Sequence, residues 1–147
     1  MARRELVVLL VEDNPDDVEL TLGAFRARRL SNPVIVLRDG EEALDYIHRR
    51  GRFAEEAPLP GLILLDIRLP RVDGIEVLRQ MKSHQIYRTV PVVMLTTSDD
   101  TNDIRRSYEL GANSYIVKPV EWEKFVEVVG QIDLYWILTN TPYRPAE

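Results

Sequence analysis

Leu62-Ile63-Leu64-Leu65-Asp66 is a short apolar run that ends on a carboxylate. Three other apolar runs end on a polar residue in the same way: residues 6–11 before Glu12 and Asp13, 91–95 before Thr96, and 114–117 before Lys118. Such short runs of Val, Ile and Leu, with helical patterns between them, are typical of buried parallel strands. Because the carboxyl ends of parallel strands line one crevice, the three carboxylates, the hydroxyl and the ammonium should converge there.

Helix-start signals follow these runs. Asn14 and Pro15, with acids at the next two positions, are typical of a helix N-terminus and predict a helix up to about residue 29. The other predicted elements are a strand over 34–37, helices that begin near Gly40, Gly74 and Asp100, a Pro/Gly-rich loop over 51–61, and a last helix over about 121–138. Five successive βα units predict an α/β fold with helices on both faces of a parallel sheet.

The composition is that of an ordinary globular protein. The chain has 147 residues, of which 45% are apolar and 29% are charged, so we expect one domain with a genuine core. Its apolar runs are far too short to span a membrane, and the N-terminus lacks a signal-peptide pattern. The absence of cysteine excludes disulfides and thiolate chemistry and favours a reducing cytoplasm. A net charge of −5 gives no electrostatic footprint for DNA or RNA.

The predicted convergence of carboxylates has an electrostatic consequence. Glu12, Asp13 and Asp66 cannot all stay ionised in a partly buried site without a compensating cation. Lys118 supplies only one positive charge, so a hard divalent ion with oxygen ligands, such as Mg²⁺, would balance the site. With the ion bound, one carboxylate can attack phosphorus and form an acyl phosphate. The Thr96 hydroxyl and the Lys118 ammonium would then meet phosphoryl oxygens.

Five motifs stand at the predicted strand ends and in the loops after them. In chain order they are Val11-Glu12-Asp13-Asn14, Leu64-Leu65-Asp66, Leu69-Pro70 with Asp73-Gly74, Thr96-Thr97, and Gly111-Ala112 before Tyr115-Ile116-Val117-Lys118-Pro119. Each motif is weak alone, but in this order they make the chain resemble the receiver domain of two-component response regulators over about residues 5–138. The resemblance implies a single domain over 1–147, with residues 139–147 as a tail. It also implies a flavodoxin-like sheet in strand order 2-1-3-4-5.

The resemblance implies a role for each clustered side chain. Asp66 would accept a phosphoryl group from the phosphohistidine of a sensor histidine kinase. Mg²⁺ would be held by the carboxylates of the acidic cluster and by one backbone carbonyl, that is, by Glu12, Asp13, Asp66 and the carbonyl of Arg68.

Three further residues would respond to the phosphoryl group. Lys118 would bind it, Thr96 would act as a hydroxyl switch and Tyr115 as an aromatic switch. The resemblance also implies a cis bond between Lys118 and Pro119. At most a slow autodephosphorylation is expected, so the chain is not predicted to be an enzyme.

A narrower resemblance is to small single-domain regulators paired with bacterial phytochrome kinases. It rests on the loop 51–61, the run 96–99, residues 107–115 and the Trp-bearing last helix. It implies a phytochrome kinase as partner, and no output domain is expected because only residues 139–147 remain after the last helix. That helix is apolar nearly all round. Either the tail or a second copy of the chain, through the face of helix 4, strand 5 and helix 5, would cover it.

Three other functions fit parts of the pattern. A metal-dependent phosphohydrolase would need a second acid two residues after its nucleophile, where this chain has Arg68, or Pro15 if Asp13 were the nucleophile. A nucleotide- or flavin-binding module would need a Gly-rich turn after the first strand, and that place holds Glu12-Asp13-Asn14. A receiver-like scaffold that never takes phosphate would not need the complete set of site residues that the sequence contains.

Overall fold

The computed structural model describes residues 7–27 and 32–118. Its five strands form one parallel sheet: β1 (Val8–Val11), β2 (Val34–Leu37), β3 (Leu62–Leu65), β4 (Val92–Thr96) and β5 (Ser114–Val117). The strand order is β2-β1-β3-β4-β5, which confirms the predicted flavodoxin-like α/β fold. The predicted last helix over 121–138, the tail and the Lys118–Pro119 bond lie outside the described residues.

In the part of the chain that the structure describes, four α-helices alternate with the strands: α1 (Pro15–Ala27), α2 (Gly40–His48), α3 (Gly74–Ser83) and α4 (Thr101–Glu109). Each begins on an Asn or Asp side chain that accepts hydrogen bonds from backbone N–H groups of the first turn; the caps are Asn14, Asp39, Asp73 and Asp100. These short polar side chains satisfy N–H groups that have no partner within the helix. Each of these four helices is the next α-helix after a strand of the parallel sheet, so their N-termini surround the edge formed by the carboxyl ends of the strands.

The core lies on both faces of the sheet because side chains alternate along each strand. On one face, Leu9, Ile63 and Met94 pack with the buried side chains of α2 and α3. On the other, Leu10 and Leu64 pack with the buried side chains of α1. A strand buried on both faces needs apolar residues at every position, which explains the continuous runs in the sequence.

The apolar run 91–95 and the fourth strand do not begin at the same residue. β4 spans Val92–Thr96, so it begins one residue after the start of the run and ends at the polar residue that follows the run. Pro91 has no N–H to donate to a ladder, although its carbonyl accepts from Ile63 N at 3.0 Å. No helix among residues 7–27 and 32–118 is long and apolar enough to cross a membrane.

The loop 51–61 is tied to α2 by a buried tyrosine. The hydroxyl of Tyr46 donates to the carbonyl of Pro58 at 2.7 Å, and its ring meets Phe53 edge-on with centroids 4.9 Å apart. Burial raises the pKa of Tyr46 to about 12. This loop therefore reaches β3 as an ordered segment rather than as a loose insertion.

We expect Tyr46→Phe to lower the free energy of unfolding by about 1 kcal/mol at pH 8, because one hydrogen bond is lost while the exposed Pro58 carbonyl can still bind water. In the parent protein, the folded chain keeps the Tyr46 proton between pH 10 and about 12, where an unfolded tyrosine loses it. The parent should therefore lose stability as the pH rises through this window. The difference in unfolding free energy between the parent and Tyr46→Phe should become smaller as a result. Urea unfolding at pH 8 and pH 11 checks this.

The matched control is Tyr108→Phe, at a tyrosine whose side chain is half exposed. It should leave the unfolding free energy unchanged at both pH values. A gap between parent and Tyr46→Phe that stays constant with pH would contradict the prediction.

Candidate functional site

The strand register places three carboxylates together. Val11 pairs with Leu65 in the β1–β3 ladder, so the next residues of the two strands, Glu12 and Asp66, leave the sheet side by side. Oxygens of Glu12, Asp13 and Asp66 all lie within 4.8 Å of one another. Glu12 and Asp66 are buried, whereas Asp13 is exposed. The structure thus brings together the three acids that the sequence singled out.

The ammonium of Lys118 lies among these carboxylates. Its Nζ is 2.5 Å from Oε1 of Glu12, 2.8 Å from Oδ2 of Asp17 and 3.9 Å from Oδ2 of Asp66. Lys118 directly follows β5, and its N–H donates to the carbonyl of Thr96 at 2.6 Å. The side chain is 4% exposed, so its charge is balanced by these carboxylates rather than by water.

Burial and charge shift the proton affinities in the cluster. Burial raises the pKa of Glu12 to about 7, and the charge of Asp66 adds to this, although the hydrogen bond from Lys118 opposes it. For Lys118, burial alone would lower the pKa, but the hydrogen bonds to Asp17 and Glu12 and the charge of Asp66 raise it. The lysine therefore stays positive, and the cluster still has more negative charge than it can neutralise.

The donor set fits a hard divalent cation. Carboxylate oxygens are the ligands that Mg²⁺ and Mn²⁺ prefer, and an added cation would stabilise the ionised form of Glu12, whose pKa is raised by burial and, to a smaller extent, by the charge of Asp66. Asp13 lines a cleft of about 480 Å³ beside the cluster, and Arg68 and Asp103 line the same cleft. An ion held by the acids would therefore face a space large enough for a phosphate.

The loop after β3 fixes Asp66. The N–H of Arg68 lies 3.4 Å from Oδ1 of Asp66, and the N–H of Gly74 donates to the carbonyl of Ile67 at 2.7 Å. Gly74 comes so close that a Cβ atom there would lie 1.9 Å from the Asp66 carbonyl oxygen. The Asp73-Gly74 motif therefore serves two purposes, because Asp73 caps α3 while Gly74 lets the helix start against the Asp66 backbone.

Thr96 and Tyr115 are linked through the segment after β4. Thr96 is fully buried, and its hydroxyl oxygen lies 3.4 Å from the N–H of Ser98. The Tyr115 hydroxyl donates to the Ser98 carbonyl at 2.9 Å, and the Ser98 hydroxyl donates to Asp103 at 2.7 Å. Asp103 also lies 3.7 Å from the guanidinium of Arg68. A displacement of Thr96 would therefore reach both the Tyr115 hydroxyl and α4.

Asp17 is the site residue that sequence reasoning missed. The acids after Pro15 indicate a helix start in the sequence, yet the Asp17 carboxylate binds Lys118. A signal was present, because the first turn of α1 follows the carboxyl end of β1 and so borders the same edge as the other site residues.

Comparison with known proteins gives a consistent result. A family described as the response regulator receiver domain matches residues 8–130. The probable methanogenesis regulatory protein FilR2 of Methanothrix harundinacea is 42% identical over 99% of this chain and 92% of its own length. Response regulator Rcp1 of Synechocystis is 38% identical over 92% of this chain and 91% of its own length.

Solved structures agree with the sequence comparison. The phosphorylated cyanobacterial phytochrome response regulator RcpA matches with a TM-score of 0.88 at 38% identity, covering 96% of this chain and all of RcpA. The Mn²⁺-bound form of Rcp1 matches with a TM-score of 0.85 at 37% identity, covering 95% of this chain and 99% of Rcp1.

We expect Gly74→Ala to disturb the acidic cluster. The new Cβ would collide with the backbone of Asp66 and Ile67, so the segment that carries the carboxylate must move. The free energy of unfolding should fall by about 1–3 kcal/mol, as is typical of overpacking. Affinity for Mn²⁺, measured by calorimetric titration, should fall as well.

Tyr46→Phe is the control for this prediction, because it weakens the fold at the opposite end of β3, in the loop that precedes the strand. It should leave Mn²⁺ affinity unchanged. Parent-like Mn²⁺ affinity in Gly74→Ala would show that the close approach does not position Asp66.

Proposed function

The chain belongs to the response regulator receiver domain family, and on that basis we propose that Asp66 accepts a phosphoryl group from the phosphohistidine of a sensor histidine kinase. One observation carries the proposal. Asp66 is buried after the end of β3, it shares with Glu12 and Asp13 a cluster that could hold a metal ion, and its carboxylate lies 3.9 Å from the Lys118 ammonium. A nucleophilic carboxylate, a metal site and a fixed cation are the parts that phosphoryl transfer needs.

The proposed transfer is a single displacement at phosphorus. An oxygen of Asp66 attacks, the bond between phosphorus and the imidazole nitrogen of the kinase breaks, and the imidazole leaves with that electron pair. The product is an acyl phosphate on Asp66. Lys118 supplies positive charge near the transferred oxygens, and Glu12 and Asp13 would hold a divalent cation.

We propose that this cation is Mg²⁺, with Glu12, Asp13, Asp66 and the Arg68 backbone carbonyl as its protein ligands. When bound, the ion neutralises phosphoryl oxygens that the carboxylates would otherwise repel. The support is the oxygen-only donor set and the Mn²⁺-bound form of the relative Rcp1.

The proposed output is a shift between two conformations. A phosphoryl oxygen on Asp66 would attract the Thr96 hydroxyl, whose oxygen lies 3.4 Å from the N–H of Ser98. If Thr96 moved together with Ser98, the Tyr115 hydroxyl would lose its hydrogen bond to the Ser98 carbonyl, and the ring could turn inward. The face of α4 and β5 would then change its shape.

A phytochrome kinase is the partner that we propose. The support is the likeness, over nearly the whole chain, to RcpA, a phytochrome response regulator. No residue of the site itself senses light, and FilR2 carries a different regulatory name at a similar length.

The absence of cysteine supports the cytoplasm as the location.

The alternatives find less support at the site. Arg68 occupies the position where a phosphohydrolase would carry its second acid, and its guanidinium lies beside Asp103 instead. We therefore propose a phosphoacceptor with at most slow autodephosphorylation, not a turnover enzyme. A scaffold that never takes phosphate would have no use for a buried Lys118 within 4 Å of a buried Asp66.

Incubation with acetyl phosphate and Mg²⁺ tests the assignment of Asp66. Intact mass spectrometry should show the gain of one phosphoryl group in the parent and none in Asp66→Asn. The matched control is Asp73→Asn, because Asp73 lines the neighbouring cleft and an asparagine can still cap α3. Asp73→Asn should be phosphorylated like the parent.

Two results would overturn the assignment: phosphorylation of Asp66→Asn, or a parent that takes neither phosphate nor beryllofluoride. The second result would favour the scaffold.

We further propose that phosphorylation changes homodimer contact through the face of α4 and β5, where Tyr108 and Val117 are exposed apolar side chains. The fifth helix of this face lies outside the described residues. Tyr108→Asp should weaken the dimer about tenfold or more in beryllofluoride and Mg²⁺, as loss of an aromatic contact at an interface typically does. Analytical ultracentrifugation measures the dissociation constant.

Ile86→Asp is the matched control, because Ile86 is an exposed apolar residue after α3 and not part of the face. It should dimerise like the parent. Equal dissociation constants for the two variants would exclude this face as the dimer contact.

A further inference from the structure

The Lys118 ammonium is shared between two carboxylates that differ in burial. It has three protons to donate, and hydrogen bonds to Glu12 and Asp17 use two of them. Asp66 lies at 3.9 Å, beyond hydrogen-bond distance. Lys118 is therefore held by Glu12 and Asp17 and not by Asp66, and only its third proton is free for a phosphoryl oxygen.

The Asp17 carboxylate is not needed to start α1. The Asn14 side chain already accepts from the Asp17 N–H at 3.2 Å, and the Asp17 carbonyl accepts from the Thr21 hydroxyl at 2.9 Å. Asp16, one position earlier, places a second negative charge in the same helix turn. The contact of Asp17 with Lys118 is thus a feature of the site and not of the helix.

The two contacts of Lys118 differ in what it costs to break them. The Glu12 side chain is 3% exposed, so water cannot replace Lys118 as its partner. The Asp17 side chain is 28% exposed and can bind water instead. Of the two contacts, the one with Asp17 therefore costs less to give up.

We propose that Asp17 is a positioning residue that holds Lys118 back from Asp66 and so disfavours the phosphorylated state. This inference rests on the proposed phosphoacceptor function. A phosphoryl group on Asp66 would compete with Asp17 for Lys118, and it would add an anion near the Asp17 carboxylate, since both acids lie within 4 Å of the same ammonium. Both effects oppose the modification. A neutral amide at position 17 would weaken the first effect and remove the second.

Beryllofluoride in saturating Mg²⁺ is the probe, and the ¹⁹F NMR signal of the bound ion measures its affinity. Asp17→Asn should bind beryllofluoride about three- to tenfold more tightly than the parent, because a neutral acceptor holds Lys118 less strongly and repels no anion. A residue with only a structural role would lower this affinity or leave it unchanged. Asp16→Asn is the matched control, since it removes the same charge from the same turn without a contact to Lys118.

A second readout needs neither metal nor phosphate. Urea unfolding in EDTA of the parent, Asp17→Asn, Lys118→Met and the double variant forms a double-mutant cycle. The effects of the two substitutions on the unfolding midpoint should be non-additive, because the residues are in contact. Additive effects would overturn the inference.

The outcomes separate the two proposals. If the parent binds beryllofluoride and Asp17→Asn binds no more tightly than Asp16→Asn, the role of Asp17 is overturned and the phosphoacceptor function stands. If Asp17→Asn binds more weakly than the parent, Asp17 positions Lys118 toward Asp66, and the inference is likewise overturned. If the parent binds none, the phosphoacceptor function fails and the inference fails with it.

Discussion

The contacts of the buried Lys118 ammonium with the surrounding carboxylates control the electrostatics of the site. Taking several carboxylates out of water costs several kcal/mol each unless they are paired, and one lysine cannot pair with all of them. Glu12 shows this cost, because burial, together with the charge of Asp66, raises its pKa to about 7. A site that is under-neutralised in this way attracts a divalent cation, and the cation in turn makes an anionic phosphoryl group acceptable. The chemistry follows from a charge imbalance that the fold maintains.

The fold maintains the imbalance through its sheet edge. Parallel pairing sets Glu12 beside Asp66 and Lys118 beside Thr96, so none of these residues can leave without breaking a ladder contact next to it. Capped helix N-termini surround the same edge, and their dipoles favour negative charge there. Two apolar cores, one on each face of the sheet, supply the stability that the carboxylates oppose. The cost of the site is tolerable because it is confined to one edge of a well-packed sheet.

The sequence predicted what depends on local pattern. Continuous runs such as 62–65 predicted buried strands, Asn14-Pro15 predicted a helix start, and the polar residue after each run predicted the convergence at one edge. It could not predict which cation pairs with which acid, because that depends on the distance between α1 and the end of β5. Asp17 was missed for this reason: its helix-start signal is local, but its bond to Lys118 joins residues 101 positions apart. Pro91 belongs to the apolar run but not to β4, because it has no N–H for a ladder hydrogen bond.

The magnitudes of the contacts around Ser98 show where the energy of a switch would come from. The ion pair between Arg68 and Asp103 is long, at 3.7 Å, and the Arg68 side chain is 68% exposed, so such a pair stabilises by less than about 1 kcal/mol. Thr96 is fully buried, and a hydroxyl there must keep a hydrogen-bond partner in either state. The hydrogen bond of the Thr96 hydroxyl therefore contributes more to the free-energy difference between the two states than the surface ion pair does. The Tyr115 hydroxyl is bonded to Ser98, so its position depends on the partner of Thr96, and the pair of Arg68 and Asp103 responds to that change.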